Sequence, residues 1–182
     1  MSDERLEIYK RELLRWNETV NLIGPEPKAN LDEHIGEALA AAEILRPERE
    51  VLDFGSGGGL PAIPMAIACP KARFHLVEAD KKKWAFLKHV VRECRLNSVV
   101  YGDRLERVLT QFPQELRFSL VISRAVGKPE KWLPALAPWM EPNGQVGLFQ
   151  GSSDIPQIRR FRSVGAHRLE RGVLVTFHVE QR

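Results

Sequence analysis

Apolar and polar positions follow two rhythms along this chain. From residue 50 onward, short apolar runs of strand character alternate with stretches whose apolar residues recur at helical spacing. The runs Glu50–Phe54, Arg73–Glu78, Ser98–Tyr101, Phe118–Ser123 and Gln145–Phe149 read as strands, and Val173–Val179 as a late, antiparallel one. Between them, Pro61–Cys69, Lys81–Leu96, Leu105–Phe112 and Pro129–Met140 read as helices, the last bent by Pro134 and Pro138. Trp84, Leu87, Val91 and Cys94 form one stripe of the second of these. Glu141–Gly144 reads as a turn and Ile155–Val164 as a basic helix. Strands alternating with helices predict an α/β chain with a parallel sheet covered on both faces.

The front of the chain has only the helical rhythm. Glu4–Thr19 and Asn30–Leu45 read as two helices, anchored by Ile8, Leu13, Trp16, Leu39 and Ile44. Two helices bury little alone, so residues 1–48 are expected to cap an α/β core over 49–182, in a single domain of 1–182.

Composition narrows the class. In 182 residues, 43% are hydrophobic and 28% charged, ordinary for a globular protein and unlike collagen-like, disulfide-framework or disordered chains. The longest apolar candidate for a membrane span, Leu60–Cys69, is short and carries two prolines. The first residues, Met1-Ser-Asp-Glu-Arg5, lead into no apolar stretch, so no signal peptide is expected. Cys69 and Cys94 form no C-x-x-C and read as buried thiols of a cytoplasmic protein. Net charge is only +3, but bases concentrate between Lys71 and Arg107, whereas the first fifty residues are rich in acids. Lys81, Lys82, Lys83, Lys88, Arg92 and Arg95, with Arg159, Arg160 and Arg162, could meet a polyanion, although such a face can also be plainly solvated.

The chemistry concentrates at Val51-Leu-Asp-Phe-Gly-Ser-Gly-Gly-Gly-Leu-Pro61. A strand ends at Asp53, Gly55, Gly57 and Gly59 follow, and a helix begins near Pro61. Such a turn lets backbone approach a ligand at the carboxyl end of a first parallel strand. Glu78 then ends the second strand, where an acid can accept both hydroxyls of a ribose. A further acid-bearing turn, Gly102–Glu106, follows the third strand, where an adenine edge would lie. A nucleoside site with an acid before its glycine turn and no phosphate fingerprint points to S-adenosylmethionine (SAM) rather than NAD. Asp53 would hold the methionine moiety or order the turn. The competing reading is a glycine turn of an unrelated α/β fold, with acids capping helices.

The same stretch, Leu52-Asp-Phe-Gly-Ser-Gly-Gly-Gly-Leu-Pro-Ala-Ile-Pro-Met-Ala66, resembles the cofactor loop of the bacterial small-subunit ribosomal RNA guanine-N7 methyltransferases, the glucose-inhibited division B family. Pro61 and Pro64 carry the likeness more than the glycines do. Trp16-Asn-Glu-Thr-Val-Asn-Leu22, Glu33-His-Ile-Gly-Glu-Ala-Leu39, Lys83-Trp-Ala-Phe-Leu-Lys88, Arg104-Leu-Glu106 and Ser123-Arg-Ala-Val126 resemble further marks of that family. The resemblance implies a Rossmann-like class I SAM-dependent methyltransferase fold, with a mostly parallel seven-stranded sheet and an N-terminal helical cap. It implies cofactor contacts from Gly55, Leu60, Leu105, Glu106 and Arg124, with S-adenosylhomocysteine (SAH) as product. It implies 16S ribosomal RNA or the small ribosomal subunit as partner; separately, no membrane partner is expected, and the chain is expected to be a monomer. The chain departs from the pattern at Ala62, at Glu37-Ala38 and at Gln150, where the family has glycine, Asp-Ser and lysine.

N7 of guanine has an in-plane lone pair and needs no deprotonation, so the absence of a Ser/His/Asp or Cys/His set fits this chemistry. Arg124, at the end of the fourth strand, is the foremost candidate for the catalytic site. It could fork onto the cofactor carboxylate, hold the guanine O6 or a phosphate, or pair with Asp53 or Glu106. His34, on the cap, is a second candidate, the alternative being a packed histidine. Trp16 and Trp84 fit the core, and Phe54 or Trp132 could stack on a purine. A SAM-dependent enzyme with another substrate and a non-catalytic nucleotide- or RNA-binding module remain as alternatives.

Overall fold

In a computed structural model of the protein, residues 3–152 and 154–180 are described. The strands β1 (Glu50–Phe54), β2 (Arg73–Val77), β3 (Ser98–Tyr101), β4 (Phe118–Arg124), β5 (Met140–Gln150), β6 (Phe161–Arg168) and β7 (Val173–Val179) form one sheet in the order β3-β2-β1-β4-β5-β7-β6. Strands β1 to β5 are mutually parallel, and β7 runs antiparallel to both β5 and β6. The order reverses at β1, so the carboxyl ends of β1 and β4 diverge around a crevice.

Among the described residues, seven α-helices flank the sheet: α1 (Glu4–Asn17), α2 (Pro25–Ala29), α3 (Leu31–Leu45), α4 (Ala62–Ala68), α5 (Lys81–Glu93), α6 (Leu105–Leu109) and α7 (Pro129–Leu136). Local chemistry sets several boundaries. The Asp3 carboxylate caps α1 through Arg5 N, and that of Asp80 caps α5 through Lys82 N and Lys83 N. A short 3₁₀ turn, Ala137–Trp139, replaces the last turn expected of α7, where Pro138 cannot donate to an α-helical ladder.

Three expectations are corrected. Residues 155–164 are not a basic helix: the chain bridges at Ile158 and enters β6, whose backbone groups pair with β7 in a hairpin. That pairing is non-local and leaves no helical periodicity to read. Glu141–Gly144 lies within β5, but the β4–β5 register jumps from Phe118↔Met140 to Leu120↔Gln145, so these residues bulge out of the ladder. Ile44 is exposed; α3 turns Leu31, Ile35, Ala38, Ala42 and Leu45 inward instead.

The cap packs into the body of the protein. Tyr9, Leu13, Leu31 and Ile35 share one buried cluster with Ile63, Phe74 and Phe86, and Trp16 packs on its margin. A second cluster on the other face joins Leu52, Val121, Leu133, Val146 and Phe177. Trp84 lies flat over Gly102, with Lys88 Nζ 4.5 Å from its ring, so it braces the α5–β3 junction at the edge of the core. Phe54 and Trp132 pack on each other with centroids 4.7 Å apart. Both cysteines are free thiols; Cys94 is buried and Cys69 half-buried.

Candidate active site

The β1 turn follows from its glycines. Gly55, Gly57 and Gly59 all have positive φ (+76°, +54° and +86°), a region that costs other residues about 1–2 kcal/mol. A Cβ on Gly55 would sit 2.3 Å from Val126 Cγ2, and one on Gly59 2.5 Å from Ile63 Cγ1. At Gly57 the nearest protein atom would be Gly55 O at 3.8 Å, so the room left there belongs to a cavity.

That cavity, about 340 Å³, opens at the carboxyl end of β1. Gly55, Gly57, Leu60, Glu78, Lys83 and Arg124 line it from the core side, and Leu22, Ile23, Pro27 and His34 from the cap. Asn17 fixes the cap wall, its Oδ1 accepting from Leu22 N (2.8 Å) and Ile23 N (3.0 Å). Tyr9, fully buried on α1, donates to Gly58 O at 2.8 Å, and Leu13 and Ile23 fill the space over Gly58. The cap therefore braces the glycine turn directly.

The Glu78 carboxylate accepts from Gly57 N and Asp80 N, each at 2.8 Å. Each of its oxygens retains a further lone pair, so it can still accept hydroxyl donors from the cavity. Asp53 lies under the turn, 1% exposed, and does not line the cavity. The Ser56 hydroxyl donates to its main-chain carbonyl at 3.2 Å, whereas its Oδ2 has no partner. Burial, reinforced by the nearby Glu78 charge and opposed by Ser56, pushes the Asp53 carboxyl up to about 7. A raised folded-state pKa favours the folded state most below the unfolded value, and that advantage fades as pH rises through about 7. Urea unfolding at pH 5 and pH 8 should show wild type losing stability relative to Asp53→Asn by on the order of 3 kcal/mol. Parallel pH profiles would contradict this placement of the charge.

Arg124 ends β4 between this cavity and a second hollow of about 410 Å³. The second hollow is lined by Glu26, His34, Glu37, Phe149, Gln150 and Arg171, with Gly151 and Gly172 at its margin. Arg124 pairs with neither Asp53 nor Glu106. Its Nη2 donates to the buried Glu37 Oε2 and to His34 Nδ1 at 2.8 Å, its Nη1 is buried without a partner, and its guanidinium lies 5.5 Å from the Phe149 ring centre. The same Nδ1 of His34 lies 3.2 Å from Glu37 Oε2, and its Nε2 lies 3.2 Å from Glu26 Oε2. Burial alone would raise the Glu37 carboxyl; hydrogen bonds from Arg171 N (2.7 Å) and Arg124 outweigh it and hold the group below the usual carboxylate range.

The expected site residues thus divide. Gly55, Gly57, Leu60, Glu78, Arg124 and His34 meet at the cavity. Gly59 shapes the turn from behind, and Asp53 lies beneath it. Leu105 is buried and Glu106 exposed at the start of α6, and neither reaches the cavity lining. Glu37 and Arg171 were not singled out as site residues. Two signals pointed to Glu37: its place in the family-like stretch Glu33–Leu39, and its i+3 spacing from His34 on α3, which places both on one face. Arg171 stands in the β6–β7 turn and reaches Glu33 (2.6 Å) and Glu26 (2.7 Å) on the cap.

Solved structures with this architecture include two O-methyltransferases. The O-methyltransferase from Bacillus cereus in complex with SAH superposes with a TM-score of 0.70 at 16% identity, covering 99% of this chain and 92% of that one. The O-methyltransferase TomG from Streptomyces achromogenes in complex with SAM gives 0.67 at 15% identity, covering 100% and 92%. The fold is therefore the Rossmann-like fold of class I SAM-dependent methyltransferases. The family model GidB, rRNA small subunit methyltransferase G, matches residues 2–181. The ribosomal RNA small subunit methyltransferase G of Helicobacter bizzozeronii is 34% identical over 149 residues, covering 81% of this chain and 82% of that one. That of Wolinella succinogenes is 33% identical over 157 residues, covering 86% and 79%. The chain belongs to the GidB family.

Proposed function

We propose that this protein transfers a methyl group from SAM to N7 of a guanine in 16S ribosomal RNA, acting in the cytoplasm as a monomer. The observation that carries the reading is the junction of cavity and hollow at Arg124, in a chain of this family. The residues fit the cofactor: a carboxylate for ribose hydroxyls at one side, an unpartnered guanidinium nitrogen for the methionine carboxylate at the other, and no phosphate cradle. Leu60 lines the methionine side, and the adenine would run from Glu78 toward the end of β3, where Leu105 and Glu106 open α6.

When bound, SAM supplies an electrophilic sulfonium methyl group. The rest is positioning by this chain. The glycine turn lets backbone close on the ligand, and Glu78, itself held by Gly57 N and Asp80 N, fixes the ribose. Arg124 is held by Glu37 with one donor edge free. Guanine N7 attacks with its own lone pair, so no residue need take a proton first. Positive charge grows on the purine, and the Glu26 and Glu37 carboxylates stand beside the hollow where it would form. Lys83, at the cavity rim, and the exposed Lys82 and Lys88 supply cations for the RNA backbone.

The test is methyl transfer from isotopically labelled SAM to 16S RNA and to small subunits, followed by nucleoside mass spectrometry. The expected product is labelled 7-methylguanosine from one position. Label in another nucleoside, or in protein, would favour a different substrate, and no transfer with intact cofactor binding would favour a non-catalytic binding module.

A further inference from the structure

Strand β6 is the edge of the sheet, so one flank of its backbone has no strand partner among the described residues. Arg162 stands directly across from His178 in the β6–β7 hairpin. The register shift between Ser163 and Gly165 puts His167 on the same face, since its partner Leu174 lies an even number of residues from His178. Among the described residues, the side chains of Arg162, His167, Arg168 and His178 make no hydrogen bond or ion pair, whereas Arg171, in the turn, is tied to Glu26 and Glu33. Arg162 and His178 open on a polar hollow of about 510 Å³, shared with Asn143 and Glu180. At the other end of β6, Arg168 lines a hollow with Gly151, Arg171 and Gly172, which also line the hollow beside Arg124. A cationic edge thus runs for about 20 Å from the candidate active site to Arg162. We infer that this edge is a second RNA contact, with a backbone phosphate held between Arg162 and His178 and Arg168 guiding the strand toward the site of methyl transfer. This contact presupposes the RNA substrate proposed above and adds to it a surface remote from the reacting atoms.

Three features support it. A guanidinium offers only donors, and an imidazole ring at least one, so two such groups facing one hollow without an acceptor suit an oxyanion. The donors come from three strands, Asn143 of β5, Arg162 of β6 and His178 of β7, and converge on a concave site. Charges that merely keep sheet edges apart need no such convergence. Beside them, Nε of Arg160 is buried without a partner. The edge also disfavours a second copy of the chain. Antiparallel pairing of two β6 strands about Gly165 would bring Arg162 of one toward Arg168 of the other, and like charges across strands are destabilising. A phosphate contact carries no sequence information but fixes the register of the nucleic acid, which is what a surface away from the chemistry can contribute. Glu180 also lines the hollow and opposes an anion, so neutralising it should strengthen the contact.

Equilibrium binding of 16S RNA with SAH saturating, measured over a series of salt concentrations, reads the contact without turnover. Arg162→Gln/His178→Gln should lower RNA affinity about fivefold to tenfold near physiological salt and reduce the slope of log affinity against log salt by about one. Arg162→Lys should keep the slope of wild type, because a point charge still meets the phosphate. Glu180→Gln should raise the affinity. SAH affinity should stay within about twofold in every variant, since none of these residues lines the cofactor cavity. Unchanged RNA affinity and slope in the double variant, equal loss of RNA and SAH affinity, or failure of wild type to bind 16S RNA would overturn the inference. A double variant that self-associates yet binds RNA as wild type does would also overturn it and assign the charges to guarding the sheet edge. Wild type that binds RNA with the expected dependence on Arg162 and His178 but transfers no methyl group would instead count against the proposed reaction alone.

Discussion

Arg124→Ala is expected to abolish measurable methyl transfer and to destabilise the protein at the same time. The two effects have different origins and can be separated. The Arg124 side chain neutralises Glu37, whose carboxylate is 1% exposed. Removing one partner of a buried pair costs about 3–5 kcal/mol, because the remaining charge is stranded. Converting Glu37 to an uncharged amide removes that charge, so Arg124→Ala/Glu37→Gln should recover most of the stability, seen as a urea midpoint near that of wild type. Transfer activity should stay lost in the double variant, because the Arg124 guanidinium, whose residue lines both cavity and hollow, is absent in both. Recovery of activity along with stability would reduce Arg124 to a structural ion-pair partner.

Gly55→Ala should weaken SAH binding about a hundredfold and lower the stability of the fold by about 1–2 kcal/mol or more. Two costs combine at this position. The φ of +76° strains any residue with a Cβ, and that Cβ would lie 2.3 Å from Val126 Cγ2. Valine is stiff at χ1, so the 125–128 turn beside Arg124 must move to relieve the clash. In Gly55→Ala/Val126→Ala the clash is gone and the backbone strain stays, so about tenfold of the affinity should return. Calorimetric titration of both variants with SAH checks the split. A single variant that binds as wild type would show that the turn does not shape the ligand site.

These cases show which parts of the site are legible in a sequence. The glycine turn and Glu78 are local features: each follows a strand directly, and strand ends in a parallel sheet converge by topology. Arg124 is legible for the same reason. Its partner is not, since Glu37 lies 87 residues away on a cap helix and only tertiary packing brings α3 to the end of β4. Arg171 is hidden more deeply, because the hairpin that carries it was read as helix in its first strand. β6 has one buried end, Phe161, followed by a half-exposed edge, so neither helical nor strand periodicity marks it and its pairing with β7 decides its form. Ile44 shows the converse: hydrophobicity alone suggested an anchor, but the small residues Ala38, Ala41 and Ala42 set the face of α3 that lies closest to the protein. Leu105 and Glu106, carried over by resemblance, start α6 at the expected strand end without reaching the cavity.

The proposed function places a phosphate-free sulfonium nucleoside in the cavity after β1, gripped by Glu78. Isothermal titration of SAM and SAH into wild type and Glu78→Ala tests it most directly. Saturable binding of both ligands at one site is expected in wild type, with a loss of about tenfold or more in affinity in Glu78→Ala, the order expected for hydrogen bonds to a charged group. Absence of binding to wild type, or equal affinity in the variant, would contradict it.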